Sequence, residues 1–302
     1  PYLLVFWPSM SHLVLNNHTR CIVRKIDPSV VSSALRSVAG LPEVDLVRAH
    51  KQHGELVSAI ASTGVTVHEL PSDGFPDSVF IEDTAVYAEH QVCVTTPGAP
   101  SRRGETSRVA EKMHELAALD WNDMGVMDDG LHVAHVHDMD QEARLDGGDV
   151  LFTGFEFIVG ESTRTNAAGA NVLRDCFPHM NVLTIDIRDC DALHLKSACS
   201  MAGPSHVLFG GEMGRFICSQ VEEKALFVYE KMSHLPDTEA ANAIYVNKVL
   251  IRRADEEFPK SADALRALAA VSGGASECRV IQIAADELAK VDGALTCCAL
   301  FL

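Results

Sequence analysis

Three kinds of side chain along this sequence could together support nucleophilic catalysis. Cys297 and Cys298 lie just before an apolar terminal segment, and His194 lies in a Leu-His-Leu-Lys-Ser stretch. Asp146 opens an Asp-Gly-Gly-Asp sequence. A thiolate can attack an electrophilic carbon, an imidazole can move protons, and a carboxylate can orient that imidazole. This combination predicts covalent catalysis by a cysteine nucleophile.

Each of these residues also has a structural interpretation. Cysteines are among the most buried residue types, so either cysteine could be a small core side chain. If both lie in a terminal strand, alternation places them on opposite faces, and at most one of them points into a site. His194 could be a hydrogen-bonded structural histidine, and Asp146 a turn aspartate before two glycines. Taken singly, each residue favours its structural interpretation.

The elements that must position these residues alternate between short strands and amphipathic helices. Apolar runs bounded by turn residues predict strands at 21–26, 65–70, 84–87, 92–95, 132–136, 150–152, 157–159, 182–185, 207–209 and 299–302. Helical periodicity predicts helices at 44–61, 105–119, 167–176, 221–232 and 262–270.

Polar clusters recur at the points where β-units begin. The clusters are Glu82-Asp83, Asp146–Asp149, His194–Ser197 and Cys297-Cys298. Arg102 and Arg164 follow the second strands of the first two hairpins. Repeated units arranged radially bring such clusters together on one axis, as propeller architectures do.

The composition limits the classes of protein that fit. The chain has 302 residues, of which 47% are hydrophobic and 22% charged, so it can bury a large core and is not intrinsically disordered. Lys and Arg number 25 against 42 Asp and Glu, a net charge of −17. This charge disfavours a nucleic-acid scaffold or docking on anionic lipid. No long linker divides the chain, so we predict one domain over 16–302, preceded by an extension of uncertain structure at 1–15.

Cysteine usage and the apolar start of the chain predict a cytoplasmic protein. Nine cysteines leave at least one thiol unpaired, and no C-x-x-C pair is present. Residues Tyr2 to Trp7 are apolar, but no basic region precedes them and Pro8 interrupts them. No run approaches the ~20 apolar residues of a membrane span. We therefore expect no membrane partner.

Several motifs together resemble the dimethylarginine dimethylaminohydrolase family, with the animal members closest. They occur in family order from Thr19 to the C-terminus, and no single one of them would be specific. The motifs are Phe-Ile-Glu-Asp at 80–83, Pro-Gly-Ala-Pro-Ser-Arg-Arg at 97–103, Leu-Asp-Gly-Gly-Asp-Val-Leu at 145–151, Arg-Thr-Asn at 164–166, Leu-His-Leu-Lys-Ser at 193–197, Met-Ala-Gly-Pro at 201–204 and Val-Asp-Gly-Ala-Leu-Thr-Cys-Cys at 291–298.

The resemblance implies a five-fold pseudosymmetric α/β propeller, the pentein fold. It also implies hydrolysis of asymmetric dimethylarginine and monomethylarginine to citrulline plus dimethylamine or methylamine, which regulates methylarginine inhibitors of nitric oxide synthesis. The reaction needs no cofactor and no metal, although zinc can block the family's nucleophilic thiolate, here Cys297. The expected partner is the small-molecule substrate, and the expected assembly is a monomer or a homodimer.

The resemblance also implies roles for individual residues. Cys297 is the nucleophile, His194 the general acid and base, and Asp146 the orienting carboxylate. The matching substrate-contact positions are Leu35, Asp77, Glu82, Asp83, Arg102, Arg164 and Val291.

Physical chemistry is consistent with those roles. Carboxylates such as Glu82 and Asp83 suit a planar guanidinium cation, while an arginine fork suits an α-carboxylate. For Asp77 we expect a contact with the substrate's α-amino group.

Three alternatives remain open from the sequence. The first is another guanidine-modifying enzyme on the same fold, such as an arginine deiminase or an amidinotransferase. The second is a non-catalytic binding or regulatory member of the family. The third is a thiol-based zinc or redox sensor built on Cys297, Cys298 and His194.

Overall fold

Five small sheets make up the β-structure of the chain. The computed structural model describes residues 18–124, 132–136, 140–271 and 278–302, and in these ranges the strands form five three-stranded sheets. The strands are β1 Arg20–Arg24, β2 Thr66–Leu70, β3 Ala85–Ala88, β4 Gln91–Val94, β5 His132–His135, β6 Val150–Phe152, β7 Glu156–Glu161, β8 Asn181–Asp186, β9 Cys199–Gly203, β10 His206–Gly210, β11 Lys231–Leu235, β12 Ile244–Val246, β13 Val249–Arg253, β14 Arg279–Ile283 and β15 Leu300–Phe301.

All five sheets share one topology and are called blades below. In each, the middle strand pairs antiparallel with an inner strand and parallel with an outer strand. The first blade is β15-β1-β2, and the second to fifth are β3-β4-β5, β6-β7-β8, β9-β10-β11 and β12-β13-β14. Only the first blade combines distant parts of the chain, since Cys21 of β1 pairs with Phe301 of β15.

Helices connect the middle strands of the blades to the outer strands, as parallel pairing requires. Their bounds are α1 Val30–Ser33, α2 Leu46–Ala61, α3 Thr106–Met124, α4 Ala167–Cys176, α5 Gly211–Lys224 and α6 Pro259–Val271. A further short helix, α7 Asp286–Ala289, follows the outer strand of the fifth blade. Local sequence sets the starts of two of them: the side chain of Asp45 accepts a hydrogen bond from Arg48 N, and that of Asn166 accepts one from Gly169 N. No helix in the described ranges is both long and apolar enough to cross a membrane.

The hydrophobic core lies between the blades and the helices that cover them. Phe157, Ile158 and Val159 of β7 are fully buried, because strands flank β7 on both edges and apolar side chains cover both faces. The blades are therefore rigid supports for the segments at their inner ends.

A short 3-10 turn precedes the inner strand of every blade. We call these segments entry turns: Ile81–Thr84, Gly147–Asp149, Leu195–Ser197, Glu239–Ala241 and Thr296–Cys298. The turn at 81–84 contacts those at 147–149 and 296–298, and the turn at 147–149 also contacts that at 195–197. Each predicted polar cluster thus coincides with an entry turn, and the entry turns meet at the centre of the molecule.

Two sequence-based predictions about elements were wrong. The helix predicted at 221–232 ends at Lys224, and part of its range lies in a loop and in β11. The helix begins ten residues earlier, at Gly211. Two glycines stand at its start, and because glycine more often ends a helix, the sequence did not predict one there. Gly214 lies against the backbone of Phe209, since a Cβ there would be 2.8 Å from the Phe209 carbonyl carbon.

The cysteine pair lies before the terminal strand, as the strand predicted at 299–302 implies, and not within it, as the alternation argument assumed. Cys297 and Cys298 belong to an entry turn rather than to the terminal strand, which begins at Leu300. Strand alternation therefore does not separate the two side chains. The predicted extension at 1–15 lies outside the described residues.

Candidate active site

A pocket at the centre of the ring collects most of the residues singled out from the sequence. It encloses about 330 Å³ of empty space, including its open mouth. Cys297 and His194 both line it, although 103 residues separate them in the chain. The lining consists of Leu35, Asp77, Phe80, Asp83, Arg102, Arg164, Leu193, His194, Val291, Asp292 and Cys297. Of the predicted site residues, Asp146 and Glu82 are absent from this lining.

Asp146 lies directly behind His194 and holds its ring. His194 Nε2 is 3.0 Å from Asp146 Oδ2, and Gly98 N donates to the other carboxylate oxygen at 2.7 Å. The backbone of Asp146 is itself fixed, because its N–H donates to Thr165 Oγ1. Asp146 is completely buried, so the carboxylate is placed to orient the imidazole and not to touch a ligand.

The glycines after Asp146 allow these side chains to approach the backbone closely. A Cβ at Gly148 would lie 2.7 Å from both Asp83 Oδ1 and His194 Nδ1, and a Cβ at Gly147 would lie 2.0 Å from the carbonyl oxygen of Glu82. Neither glycine has a positive φ. These positions therefore require glycine for space, and not for the turn conformation that the sequence suggested.

Asp83 and Arg102 form a buried network on one wall of the pocket. Arg102 Nη1 donates to Asp83 Oδ2 at 2.5 Å, and Gly148 N donates to Asp83 Oδ1 at 2.8 Å. The rest of the Arg102 guanidinium binds Glu105 and the carbonyl oxygen of Phe80. Most of the five N–H donors of Arg102 are thus occupied, which was not expected for a residue assigned to a substrate carboxylate.

Glu82 faces away from this pocket. Its carboxylate accepts from Lys196 Nζ at 2.6 Å and from Thr296 Oγ1 at 2.8 Å. Glu82, Lys196 and Thr296 line a second cavity, bordered by inner strands of the blades. Thr296 directly precedes Cys297 in sequence, but neither Glu82 nor Thr296 lines the central pocket.

Arg164 and Asp77 lie at other positions on the pocket lining. Within the described residues, no hydrogen bond or ion pair engages the Arg164 guanidinium, so its donors can bind a ligand. Asp77 Oδ1 accepts from Leu35 N at 3.0 Å, and Asp292 accepts from both Ser37 N and Ser37 Oγ. These bonds hold the segment that carries Leu35 against the pocket.

Charge and burial set the protonation states of the two reactive groups. Burial alone would lower the pKa of His194, but Asp83, Asp149 and Asp146 outweigh it and raise the pKa to about 9. Burial, followed by the negative charges of Glu82 and Asp83, raises the pKa of the Cys297 thiol well above its usual range. The resting site therefore contains an imidazolium and a neutral thiol.

One trio of side chains in the described ranges has the spacing of metal ligands. Ligand atoms of Asp83, Asp146 and His194 all lie within 4.8 Å of one another. Arg102 and Gly98, among others, already donate hydrogen bonds to these carboxylates, and Asp146 also contacts the His194 ring. The chemistry of the trio thus fits an imidazolium held by acids better than a metal site.

Sequence reasoning missed three residues of the pocket lining, namely Phe80, Leu193 and Asp292. Each is adjacent to a predicted site residue or lies two positions from one, so the motifs contained them. It also missed Asn242, which follows the entry turn of the fifth blade and binds Lys196 O, Thr296 N and Thr296 Oγ1. Polar clusters recur once per blade, and a search for the cluster of the fifth blade could have located Asn242.

Comparison with known proteins agrees with this arrangement. The model of the eukaryotic N,N dimethylarginine dimethylhydrolase family matches residues 39–207. Human DDAH2 is 30% identical over 302 residues, covering 95% of this chain and 95% of that protein. The chain belongs to the dimethylarginine dimethylaminohydrolase family. The resemblance found in the sequence motifs is thereby confirmed.

Bacterial relatives extend the comparison to solved structures. The N(G),N(G)-dimethylarginine dimethylaminohydrolase of Pseudomonas aeruginosa is 29% identical over 282 residues, covering 92% of this chain and 97% of that protein. The structure of its cysteine-to-serine mutant with citrulline superposes with a TM-score of 0.76 at 27% identity, covering 94% and 99% of the two chains.

A more distant structure is similar in fold alone. The N-terminal domain of the cyanobacterial arginine dihydrolase ArgZ superposes with a TM-score of 0.73 at 19% identity, covering 94% and 97%. These superpositions and the five blades confirm the predicted pentein fold. The prediction of a hydrolase of the dimethylarginine dimethylaminohydrolase family is likewise confirmed.

Proposed function

We propose that this protein hydrolyses asymmetric dimethylarginine and monomethylarginine to citrulline and the corresponding methylamine. One observation carries the proposal: in a member of this family, Cys297 and His194 line one pocket together with acidic and arginine side chains. By removing methylarginines, the enzyme would relieve their inhibition of nitric oxide synthesis.

Charged groups around the pocket suit the two ends of a free methylarginine. The substrate guanidinium is a planar cation, and Asp83 offers it a carboxylate next to His194 and Cys297. Arg164 has its donors available for the α-carboxylate, and Asp77 is placed for the α-amino group. Arg102 supports Asp83 and has little capacity left for a ligand. Glu82 supports Thr296 beside the nucleophile.

Apolar side chains provide a basis for selecting a methylated nitrogen. A methylated guanidinium nitrogen has fewer N–H groups, so it binds well where the wall offers no acceptor. Phe80, Leu193 and Val291 are apolar residues of the pocket lining. Plain arginine would leave N–H groups unsatisfied against such a wall, which costs binding energy.

The first half of the reaction forms a covalent intermediate. The neutral Cys297 thiol releases its proton to solvent when the cationic substrate enters, because the new positive charge lowers the thiol pKa. The thiolate then adds to the guanidinium carbon. The His194 imidazolium, held by Asp146, donates its proton to the departing methylamine, which leaves a thiouronium on Cys297.

The second half releases citrulline. His194 is now neutral and takes a proton from a water molecule that attacks the thiouronium carbon. The carbon–sulfur bond breaks, the remaining proton of the added hydroxyl passes to the leaving Cys297 sulfur, and citrulline leaves. The neutral Cys297 thiol and the His194 imidazolium of the resting site are thereby restored. His194 donates the proton to the departing amine and accepts the proton of the attacking water, so the proposal includes no cofactor. Inhibitory zinc at Cys297, a monomeric or homodimeric state and a cytoplasmic location remain predictions.

The proposal is tested by measuring citrulline release from dimethylarginine, monomethylarginine and arginine. We expect turnover of both methylarginines, and we expect Cys297→Ser to lower kcat by about 10³-fold or more. Cys298→Ser is the matched control, because Cys298 is 1% exposed and packs in the core near the carbonyl of Ala294. This variant should retain activity.

Other outcomes would favour the alternatives. Faster turnover of arginine than of methylarginine would indicate a deiminase. Methylarginine binding without citrulline from a folded protein would indicate a regulatory member. An active Cys297→Ser variant beside an inactive Cys298→Ser variant would overturn the assignment of the nucleophile.

A further inference from the structure

Two thiols far from the central pocket face each other at short range. Cys93 Sγ and Cys176 Sγ are 3.1 Å apart, and their side chains are 0% and 2% exposed. Cys93 lies in β4 of the second blade, and Cys176 is the last residue of α4, which covers the third blade. Neither residue takes part in the proposed reaction.

We propose that Cys93 and Cys176 are an oxidation site, where a hydroperoxide converts the thiol pair into a disulfide that joins the second and third blades. In the described ranges, the sulfurs of Cys21, Cys199 and Cys298 contact backbone carbonyl oxygens and not a second thiol. This inference is independent of the proposed function, because it concerns neither the pocket nor its substrate.

The geometry requires little movement. A disulfide bond is about 2.05 Å long, so the sulfurs need to approach by roughly 1 Å. Such a shift is within the reach of side-chain rotation, and α4 already packs against β4 through Ala170, Leu173 and the neighbouring core. Both elements are well anchored, which keeps the two sulfurs facing each other.

The chemistry balances with one hydroperoxide per disulfide. The Cys176 thiolate attacks the peroxide oxygen, which gives Cys176 sulfenic acid and one water or alcohol. The Cys93 thiol then attacks the sulfenic sulfur, the disulfide forms, and a second water leaves. The two thiols are oxidised by two electrons and the hydroperoxide is reduced. The hydrogen bond with Cys93 lowers the pKa of Cys176, which supports Cys176 as the first thiol to react.

The disulfide would close a loop that contains much of the site. Cys93 and Cys176 are 83 residues apart in sequence, and Arg102, Asp146 and Arg164 lie between them. Closing a long loop restricts the unfolded chain and so stabilises the fold. We expect the oxidised protein to unfold at a temperature several degrees higher than the reduced protein.

The test maps disulfides in the full-length folded protein after treatment with hydrogen peroxide. Remaining thiols are alkylated, the protein is digested without reduction, and cross-linked peptides are identified by mass spectrometry. We expect a Cys93–Cys176 cross-link at least tenfold more abundant than after the same oxidation in denaturant. The rise in melting temperature should disappear on reduction and in Cys176→Ser.

Cys199→Ser is the matched control, because Cys199 is equally buried but its sulfur contacts the carbonyl oxygen of Leu195 and not a second thiol. This variant should keep the cross-link. Complete alkylation of both Cys93 and Cys176 after oxidation of the native protein would overturn the proposal. So would cross-links from either residue to other cysteines. The wild-type peptide map decides the question even where a serine variant does not fold.

Discussion

His194 carries a charge that the fold itself stabilises. Its side chain is buried, and Asp83, Asp149 and Asp146 raise its pKa from 6.5 to about 9. A raised pKa means that the folded protein binds the proton more tightly than the unfolded chain does. The resulting stability is fully present below pH 6.5 and is lost as the pH rises through 9.

We predict that the free energy of unfolding falls by about 3 kcal/mol between pH 6.5 and 9.5 because His194 loses its proton. Thermal or urea unfolding over this range measures the slope. His194→Gln should flatten it and lower kcat by roughly 10²–10⁴-fold. Asp149 and Glu105, whose pKa values burial raises to about 6, titrate below this window. An unchanged slope in the variant would assign the pH dependence to other groups.

The two arginines of the pocket should respond differently to removal. Arg102→Ala would leave Asp83 and Glu105 buried without their cation, so we predict a loss of about 3–5 kcal/mol in unfolding free energy. Arg164→Ala should change stability by less than about 0.5 kcal/mol but raise KM by roughly 10-fold or more, because it removes a charged contact with the substrate. Denaturant unfolding and Michaelis–Menten kinetics separate the two effects.

The opposite pattern would reverse the assignments. A stable Arg102→Ala variant with a raised KM would mean that Arg102, and not Arg164, binds the substrate carboxylate.

The entry turn at Gly147–Asp149 determines how closely His194 and Asp83 approach each other. For Gly148→Ala we predict a loss of about 1–3 kcal/mol and a marked loss of kcat, since the new Cβ overlaps both side chains. Gly54→Ala in α2 is the control, because no atom lies within 4 Å of the added Cβ. That substitution should raise helix stability by about 0.5–1 kcal/mol without affecting catalysis. Full activity in Gly148→Ala would show that the close approach is unnecessary.

Elements whose boundaries depend on local sequence could be predicted well. The bounds of α4 were predicted to the residue, since Asn166 caps its start and apolar periodicity continues to Cys176. The hairpin of β3 and β4 was placed within one residue by its polar turn. By contrast, the start of α5 was missed, because glycines that serve close packing resemble glycines that end helices. The strands of the fifth blade were also missed.

The central site was predictable only in part, for a similar reason. Motif resemblance located Cys297, His194 and their neighbours, whose positions along the chain the family pattern contains. It could not predict that Arg102 is occupied by Asp83 and Glu105, or that Glu82 turns toward Lys196. The Glu82–Lys196 pair joins the second and fourth blades, and the Asp83–Arg102 pair joins the segments on either side of the β3–β4 hairpin. Neither pairing follows from a pattern of neighbouring residues.

The ring of blades is closed by one short strand. Thr19 N and Arg20 N donate to Leu302 O, and Leu302 N donates to Arg20 O, so β15 is attached to β1. We predict that removing residues 299–302 abolishes citrulline production and cooperative unfolding, because the first blade loses its inner strand and Cys297 loses its support. Circular dichroism during heating and the citrulline assay measure the two losses. A truncated protein that melts normally would mean that the other four blades hold the ring.

The same strand pairing has a consequence for the order of events during protein synthesis. β15 is made long after β1, so a growing polypeptide on the ribosome completes the middle blades first and leaves β1 without its inner partner. The thiol of Cys297 is therefore positioned only after β15 has been made and has paired with β1. Until then the Cys297 side chain is not held at the pocket, and we expect the incomplete polypeptide neither to bind nor to hydrolyse substrate.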